Sequence, residues 1–195
     1  MLRFRHGREP QLAEASFLGC ISYGQASQAP AFADAVVPMA VLPEGGLVHT
    51  AWWGGACRAA SWQGVSYRFN EELLFGVVAL GELDFPGNAE ASALQCVSQV
   101  AYERLFAVME HAGFPNLVRC WNYLPNINVE MQGQERYRQF NIGRQKAFDV
   151  LDRSFGAPAA CALGTREGPL ILYFLASRNR PQLIENPRQL SAWMY

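Results

Sequence analysis

The sequence predicts an α+β fold, a mixed β-sheet with two helices packed on one of its faces. Three observations carry that expectation. Two stretches have apolar residues recurring at helical spacing with a glycine at the end, several short apolar runs are divided by turn residues, and from residue 65 onward the two kinds alternate along the chain. The boundaries that go with it are an N-terminal extension over 1–35, a folded domain over 36–180 and a linker over 181–195.

Residues 1–35 are rich in Ala, Gln, Gly and Ser, and only the apolar run 17–23 predicts a strand there. Runs 36–42 and 47–53 are separated by Pro43-Glu44-Gly45-Gly46 and followed by Gly54-Gly55, the punctuation of strands joined by tight connections. Residues 65–70 alternate and 73–80 are nearly continuously apolar, which predicts a half-exposed strand pairing with a buried one. Phe85-Pro86-Gly87-Asn88 breaks the pattern, and Asn88 is expected to cap a helix over 89–112. Leu94, Val97, Ala101, Leu105, Val108 and Ala112 make its apolar stripe, and Gly113 and Pro115 end it.

Residues 117–124 read as a strand with Arg119, Trp121 and Tyr123 on one face and Val118, Cys120 and Asn122 on the other, ended by Pro125. A second helix over 134–155 turns Tyr137, Phe140, Ala147, Phe148, Leu151 and Phe155 to the core and stops at Gly156 and Pro158. Strands over 160–164 and 170–177 follow, joined through Thr165-Arg166-Glu167-Gly168 as a hairpin; the second is apolar on both faces and so belongs at the sheet centre. Beyond Arg178 the chain turns polar, with Pro181 and Pro187.

With 195 residues, half of them hydrophobic and 17% charged, the composition is that of an ordinary soluble folded protein. A net charge of −1 supplies no global field for nucleic acid or anionic lipid, so neither is expected as a partner. Lys146 is the only lysine; the arginine bias reads either as genomic base composition or as a supply of planar forks for carboxylates. Phe17-Leu18-Gly19-Cys20 is preceded by Glu9, Pro10, Gln11 and Glu14 rather than by the apolar run of a signal peptide, and no stretch is long enough to span a membrane, so a cytoplasmic protein is expected. The five cysteines lack a C-x-x-C pair and read as free thiols. His6, His49 and His111 lack metal-ligand spacing, so no metal is expected. Without a glycine-rich phosphate loop or a G-x-S-x-G elbow, nucleotide cofactors and serine hydrolysis drop out as well.

Functional potential concentrates in residues 119–144, RCWNYLPNINVEMQGQERYRQFNIGR. Steps of four and three from Tyr137 pass through Asn141 and Arg144 to Phe148, placing an arginine on the face meant for the core. A buried guanidinium needs a partner, either a protein carboxylate such as Glu130 or Glu135 or the carboxylate of a ligand. Asn122 and Tyr123 close a strand beside a proline, where pockets often form.

Cys120-Trp121-Asn122-Tyr123-Leu124-Pro125-Asn126-Ile127-Asn128, followed by Glu135-Arg136-Tyr137-Arg138-Gln139-Phe140-Asn141-Ile142-Gly143-Arg144, resembles the chorismatase family. The resemblance continues through Gly168-Pro169-Leu170-Ile171-Leu172-Tyr173-Phe174-Leu175-Ala176 to Glu185-Asn186-Pro187-Arg188-Gln189, and so covers most of 65–195. It implies a fusion of two YjgF-like modules, the fold of the reactive-intermediate deaminases, that converts chorismate to dihydroxycyclohexadiene carboxylate or hydroxybenzoate with release of pyruvate and no cofactor. Relatives continue past the tail into a second module that supplies a catalytic glutamate, so the resemblance implies an N-terminal half with no catalytic residue of its own, inactive alone. The deaminases carry a substrate-binding arginine after a proline near their penultimate strand; here Pro158 is followed by Ala159 and Ala160, which argues against imine hydrolysis.

For a dianionic substrate with an enol ether, the resemblance assigns Arg136 and Arg144 as carboxylate clamps and Tyr123 and Tyr137 as hydroxyl donors. Glu130 or Glu135 would have to stand in for the missing acid. YjgF-like modules associate around a threefold axis, so a trimer, another homo-oligomer or docking to a second such module is implied. The alternative is a non-catalytic YjgF-like module for oligomerisation or small-molecule binding.

Overall fold

The computed structural model describes residues 2–8, 17–25, 30–31, 33–42, 45–150, 158–182, 184 and 187–190. Strands β1 (Arg3–Gly7), β2 (Phe17–Tyr23), β3 (Ala35–Val37) and β4 (Val48–Trp53) form a four-stranded sheet in the order β1-β4-β2-β3. Strands β5 (Arg58–Trp62), β6 (Val65–Phe69), β7 (Leu73–Leu80) and β8 (Asn116–Pro125) belong to the larger sheet, and β9 (Glu130–Met131) and β10 (Gln134–Glu135) form a small ladder after it. With β11 (Ala159–Thr165) and β12 (Leu170–Ser177), the larger sheet has six strands in the order β11-β8-β12-β7-β6-β5. It is mixed: β11 runs parallel to β8 and the other neighbours are antiparallel. Helices α1 (Ala93–Ala112) and α2 (Arg136–Val150) complete the fold.

Alternation along the central strands builds two cores. Tyr67, Leu74, Val78, Cys120, Leu124, Leu172 and Phe174 face the helices, against Leu94, Val97, Leu105, Val108 and Phe140. Phe75, Val77, Tyr123, Ile171, Tyr173 and Leu175 face the other way, against Leu18, Ile21, Val37 and Trp52 of the smaller sheet. The helices therefore share one face of the larger sheet, as expected, and the second sheet covers the opposite face. β2 supplies part of that cover from the segment read as an extension, and β1 joins the same sheet at its edge. An ion pair ties the layers: Asp34, beside β3, accepts from Arg68 of β6 and from the Cys20 N–H at 2.7 Å. No helix among the described residues is long and apolar enough to cross a membrane.

Helix α1 buries the predicted stripe and ends on Gly113 in the left-handed conformation at φ 73°. Its N-cap is Ser92, whose Oγ accepts from the Gln95 N–H at 3.2 Å, and not Asn88. Asn88 spends its Oδ1 on the N–H groups of Glu90 and Ala91, a local turn that delays the helix.

Helix α2 is rolled relative to expectation. It buries Arg136, Gln139, Phe140, Gly143 and Ala147, while Tyr137 is exposed and Arg144 and Phe148 are half-buried; Leu151 and Phe155 lie outside the described residues. Gly143 accounts for the roll: a Cβ there would lie 2.2 Å from the Gln95 carbonyl oxygen, so only a glycine lets α2 sit this close to α1. The polar side chains of the buried stripe are satisfied. Gln139 donates to the Met131 and Gln134 carbonyls and accepts from Ser92 Oγ at 2.8 Å.

Three strand expectations are corrected. β12 inserts between β8 and β7, so Thr165-Arg166-Glu167-Gly168 crosses over β8 instead of closing a hairpin. Run 36–42 is strand only to Val37, where Pro38 removes a ladder donor. Along β8 the register shifts so that Leu175 pairs with Arg119 and Ala176 with Leu117; Val118 is bulged and packs on the same side as Trp121 and Tyr123.

Candidate functional site

The four residues assigned by resemblance do not converge. Tyr123 projects from β8 into the layer between the sheets, where it is 3% exposed and its hydroxyl lies 3.5 Å from that of Tyr173. Burial raises the Tyr123 hydroxyl above its ordinary value. Arg136, Tyr137 and Arg144 all belong to α2, across the sheet from Tyr123. Tyr137 opens to solvent, and its N–H is used locally by the Ile127 carbonyl at 3.0 Å.

Arg136 is fully engaged. Its side chain is 4% exposed, its Nε donates to the Pro125 carbonyl at 2.9 Å, and its two Nη groups grip both carboxylate oxygens of Glu82 in a bidentate pair. Nη1 also lies 3.3 Å from Met131 Sδ. Glu82, in a 3-10 turn after β7, is 54 positions away in sequence, and no local pattern marked it.

Arg144 differs in kind. The sequence predicted a buried and paired guanidinium; it is half-buried, and its Nε is buried with no hydrogen-bond partner. The ion pairs among the described residues are Arg68–Asp34 and Arg136–Glu82, so neither Glu130 nor Glu135 takes Arg144. Those two glutamates face each other across the β9–β10 ladder instead. The Arg144 cation lies 5.1 Å from the Phe148 ring centroid and 5.7 Å from that of Tyr102, whose hydroxyl donates to Asn122 Oδ1 at 2.9 Å. Ring faces hold the cation while leaving its N–H donors unspent. Aromatic residues one helical turn away and on α1 supply that cradle, and the i, i+4 spacing of Arg144 and Phe148 was its only visible sign.

Reasoning from sequence missed the partners of Tyr123. Tyr23 and Tyr173, 150 positions apart, meet through their hydroxyls at 2.7 Å beside it, and Trp121 stacks on Tyr173 at a centroid distance of 4.7 Å. All five cysteines are free, and burial raises the Cys20 thiol to about 12. Among the described residues no group of three acidic, histidine or cysteine side chains converges as a metal site.

A family model described as Chorismatase FkbO/Hyg5-like, N-terminal, matches residues 51–176. The chain is 38% identical over 101 residues to a 3-hydroxybenzoate synthase of Streptomyces hygroscopicus, covering 50% of this chain and 30% of that protein. It is 33% identical over 150 residues to a chorismatase of Streptomyces rapamycinicus, covering 74% and 42% respectively. A chorismatase crystal structure superposes with a TM-score of 0.75 at 26% identity, over 92% of this chain and 54% of that one. The chain thus spans less than half the length of the curated relatives it matches. It belongs to the chorismatase FkbO/Hyg5-like family and matches the family's N-terminal part.

Proposed function

We propose that this chain forms the N-terminal, YjgF-like half of a chorismatase-type enzyme. Its substrate is chorismate, from which pyruvate is released to give dihydroxycyclohexadiene carboxylate or hydroxybenzoate, and the half turns over negligibly alone. Family membership and the share of the relatives' length that the chain spans support this reading. The observation that carries it is Arg144: a cation held by ring faces, with a buried Nε and no carboxylate, is prepared for an anion from outside.

In this reading Arg144 takes one substrate carboxylate and the exposed Tyr137 hydroxyl, on the same flank of α2, orients the substrate. Arg136 becomes a clamp only by exchanging Glu82; while that pair holds, it fixes the loop between β8 and α2. Tyr123 lies buried between the sheets on the opposite face, away from Arg144. Arginine and tyrosine neutralise and orient, yet neither is a good proton donor near neutral pH, so activating the enol ether falls to an acid on the second half. Docking of a second YjgF-like module, or self-association, supplies the missing wall. The alternative, a non-catalytic binding module, keeps Arg144 and drops the acid.

The test is Arg144→Ala. The variant should lose little melting temperature, since only the contacts with the Tyr102 and Phe148 rings go and no protein carboxylate loses a partner, while chorismate affinity falls about tenfold. A lowered melting temperature with unchanged affinity would make Arg144 structural.

A further inference from the structure

At the ends of β2, β3 and β11 and ahead of β4 the chain shapes a cavity of about 670 Å³ that the reading above does not use. Its walls are Gly24, segment 38–41, Gly45 with Gly46, and the run Gly164-Thr165-Arg166. Three contacts brace them. The Gly24 and Met39 N–H groups both donate to the Val37 carbonyl, at 3.1 and 2.9 Å, and Arg8 donates to the Gly45 carbonyl. A Cβ at Gly168 would lie 3.1 Å from Pro38 Cγ, so the crossover out of β11 packs closely on segment 38–41. The volume falls in the middle of the range of small-molecule sites, roughly 300–1,000 Å³.

Two adjacent residues of one wall carry unspent donors. Thr165 is 6% exposed, its carbonyl is taken by the Asn126 N–H at 2.8 Å, and its Oγ1 is buried with no hydrogen-bond partner. A buried hydroxyl without an acceptor is costly, and an acceptor entering the cavity would relieve it. Arg166 is exposed, and the ion pairs among the described residues belong to Arg68 and Arg136, so no described carboxylate holds it. Gly24, Gly45 and Gly46, all at positive φ, present bare backbone to the cavity, so an anion meets no side chain there. A planar carboxylate is satisfied by the two parallel N–H groups of an arginine fork, whereas a tetrahedral oxyanion has a further oxygen for a separate donor. We propose that this cavity binds a phosphate group, with the Arg166 fork on two of its oxygens and the Thr165 hydroxyl on a third. Pro38, Met39 and Val41 give the cavity an apolar side against which the carbon skeleton of a small phosphate monoester would lie. None of the walls belongs to α2, so the proposal goes beyond the Arg144 reading and does not rest on it.

Inorganic phosphate and butyl phosphate are the probes, titrated calorimetrically into the purified chain at fixed ionic strength, with acetate as the planar control. Both phosphates should bind saturably and acetate should not. Tighter binding of butyl phosphate would support an ester as occupant, and equal binding would support inorganic phosphate. Arg166→Gln, at an exposed position, should weaken binding about tenfold. Thr165→Val keeps the shape and removes a hydroxyl that has no protein partner, so it should not lower the melting temperature while it weakens binding about fivefold. The proposal is overturned if neither phosphate binds, if acetate matches them, or if binding survives Arg166→Gln. Loss in Arg166→Gln with full affinity in Thr165→Val would overturn it too, placing the anion on a surface arginine outside the cavity.

Discussion

At the scale of the residue, the two α2 arginines show how a partner decides a role. Arg136 is 4% exposed and spends its donors on Glu82 and Pro125, so removing Glu82 strands a buried cation. Glu82→Ala should cost about 3 kcal/mol, near the lower end for breaking a buried pair. Urea unfolding measures this, and a loss below about 1 kcal/mol would show the pair to be dispensable. Asp34 provides a pH test. Burial, the largest influence, raises its carboxyl above the ordinary value, against the opposing pull of the Cys20 N–H and Arg68. A group that binds its proton more tightly folded than unfolded makes stability fall as pH rises from the unfolded value through the folded one. Wild type should therefore gain stability relative to Asp34→Asn on acidification from pH 7 toward about pH 4. If the difference moves the other way in pH-dependent denaturation, the carboxylate form is the one the fold favours.

At the scale of the element, the contact between α1 and α2 rests on one missing side chain. Alanine at Gly143 would drive a Cβ into the Gln95 carbonyl, which is backbone and cannot rotate away. Gly143→Ala should cost about 3 kcal/mol, the upper part of the overpacking range. Gly7→Ala, with nothing within 4 Å of the added carbon, should stay within about 0.5 kcal/mol. Thermal denaturation of the two variants compares them, and equal effects would remove Gly143 as the determinant of the roll. The same residue shows what the sequence can and cannot convey. The stripe of α1 was legible because its buried face from Leu94 to Val108 is apolar except at Ser98 and the Tyr102 hydroxyl. The stripe of α2 was misread by about one position because three of its five buried residues are Arg136, Gln139 and Gly143, whose burial depends on partners elsewhere in the chain. β5 escaped notice because all five of its residues are exposed and leave no alternation. Gln63-Gly64, both at positive φ in the two-residue turn to β6, was its available sign. β11 and β12 were both found, yet their separation by β8 is a pairing choice that local pattern does not encode.

At the scale of the whole molecule, the order of strands and helices from Val65 was readable, and the second sheet over the other face was not. Its strands are short, and β1 has little buried surface to announce it. The candidate site divides in the same way: α2 and β8 were singled out from their motif, while Glu82, Tyr23 and Tyr173 became visible only when distant elements met. In the proposed function, Arg144 and the tyrosines bind and orient the substrate and an acid on a second half completes the site. Absence of general acid catalysis alone lowers a rate by roughly 10²- to 10⁴-fold. The most direct test is a chorismate turnover assay on the purified chain, quantifying pyruvate and aromatic product, repeated after adding a family second module expressed separately. The proposed division of labour between two halves requires no pyruvate above the protein-free control from the chain alone and turnover from the mixture. Robust turnover by the chain alone would contradict it and place the acid within these residues.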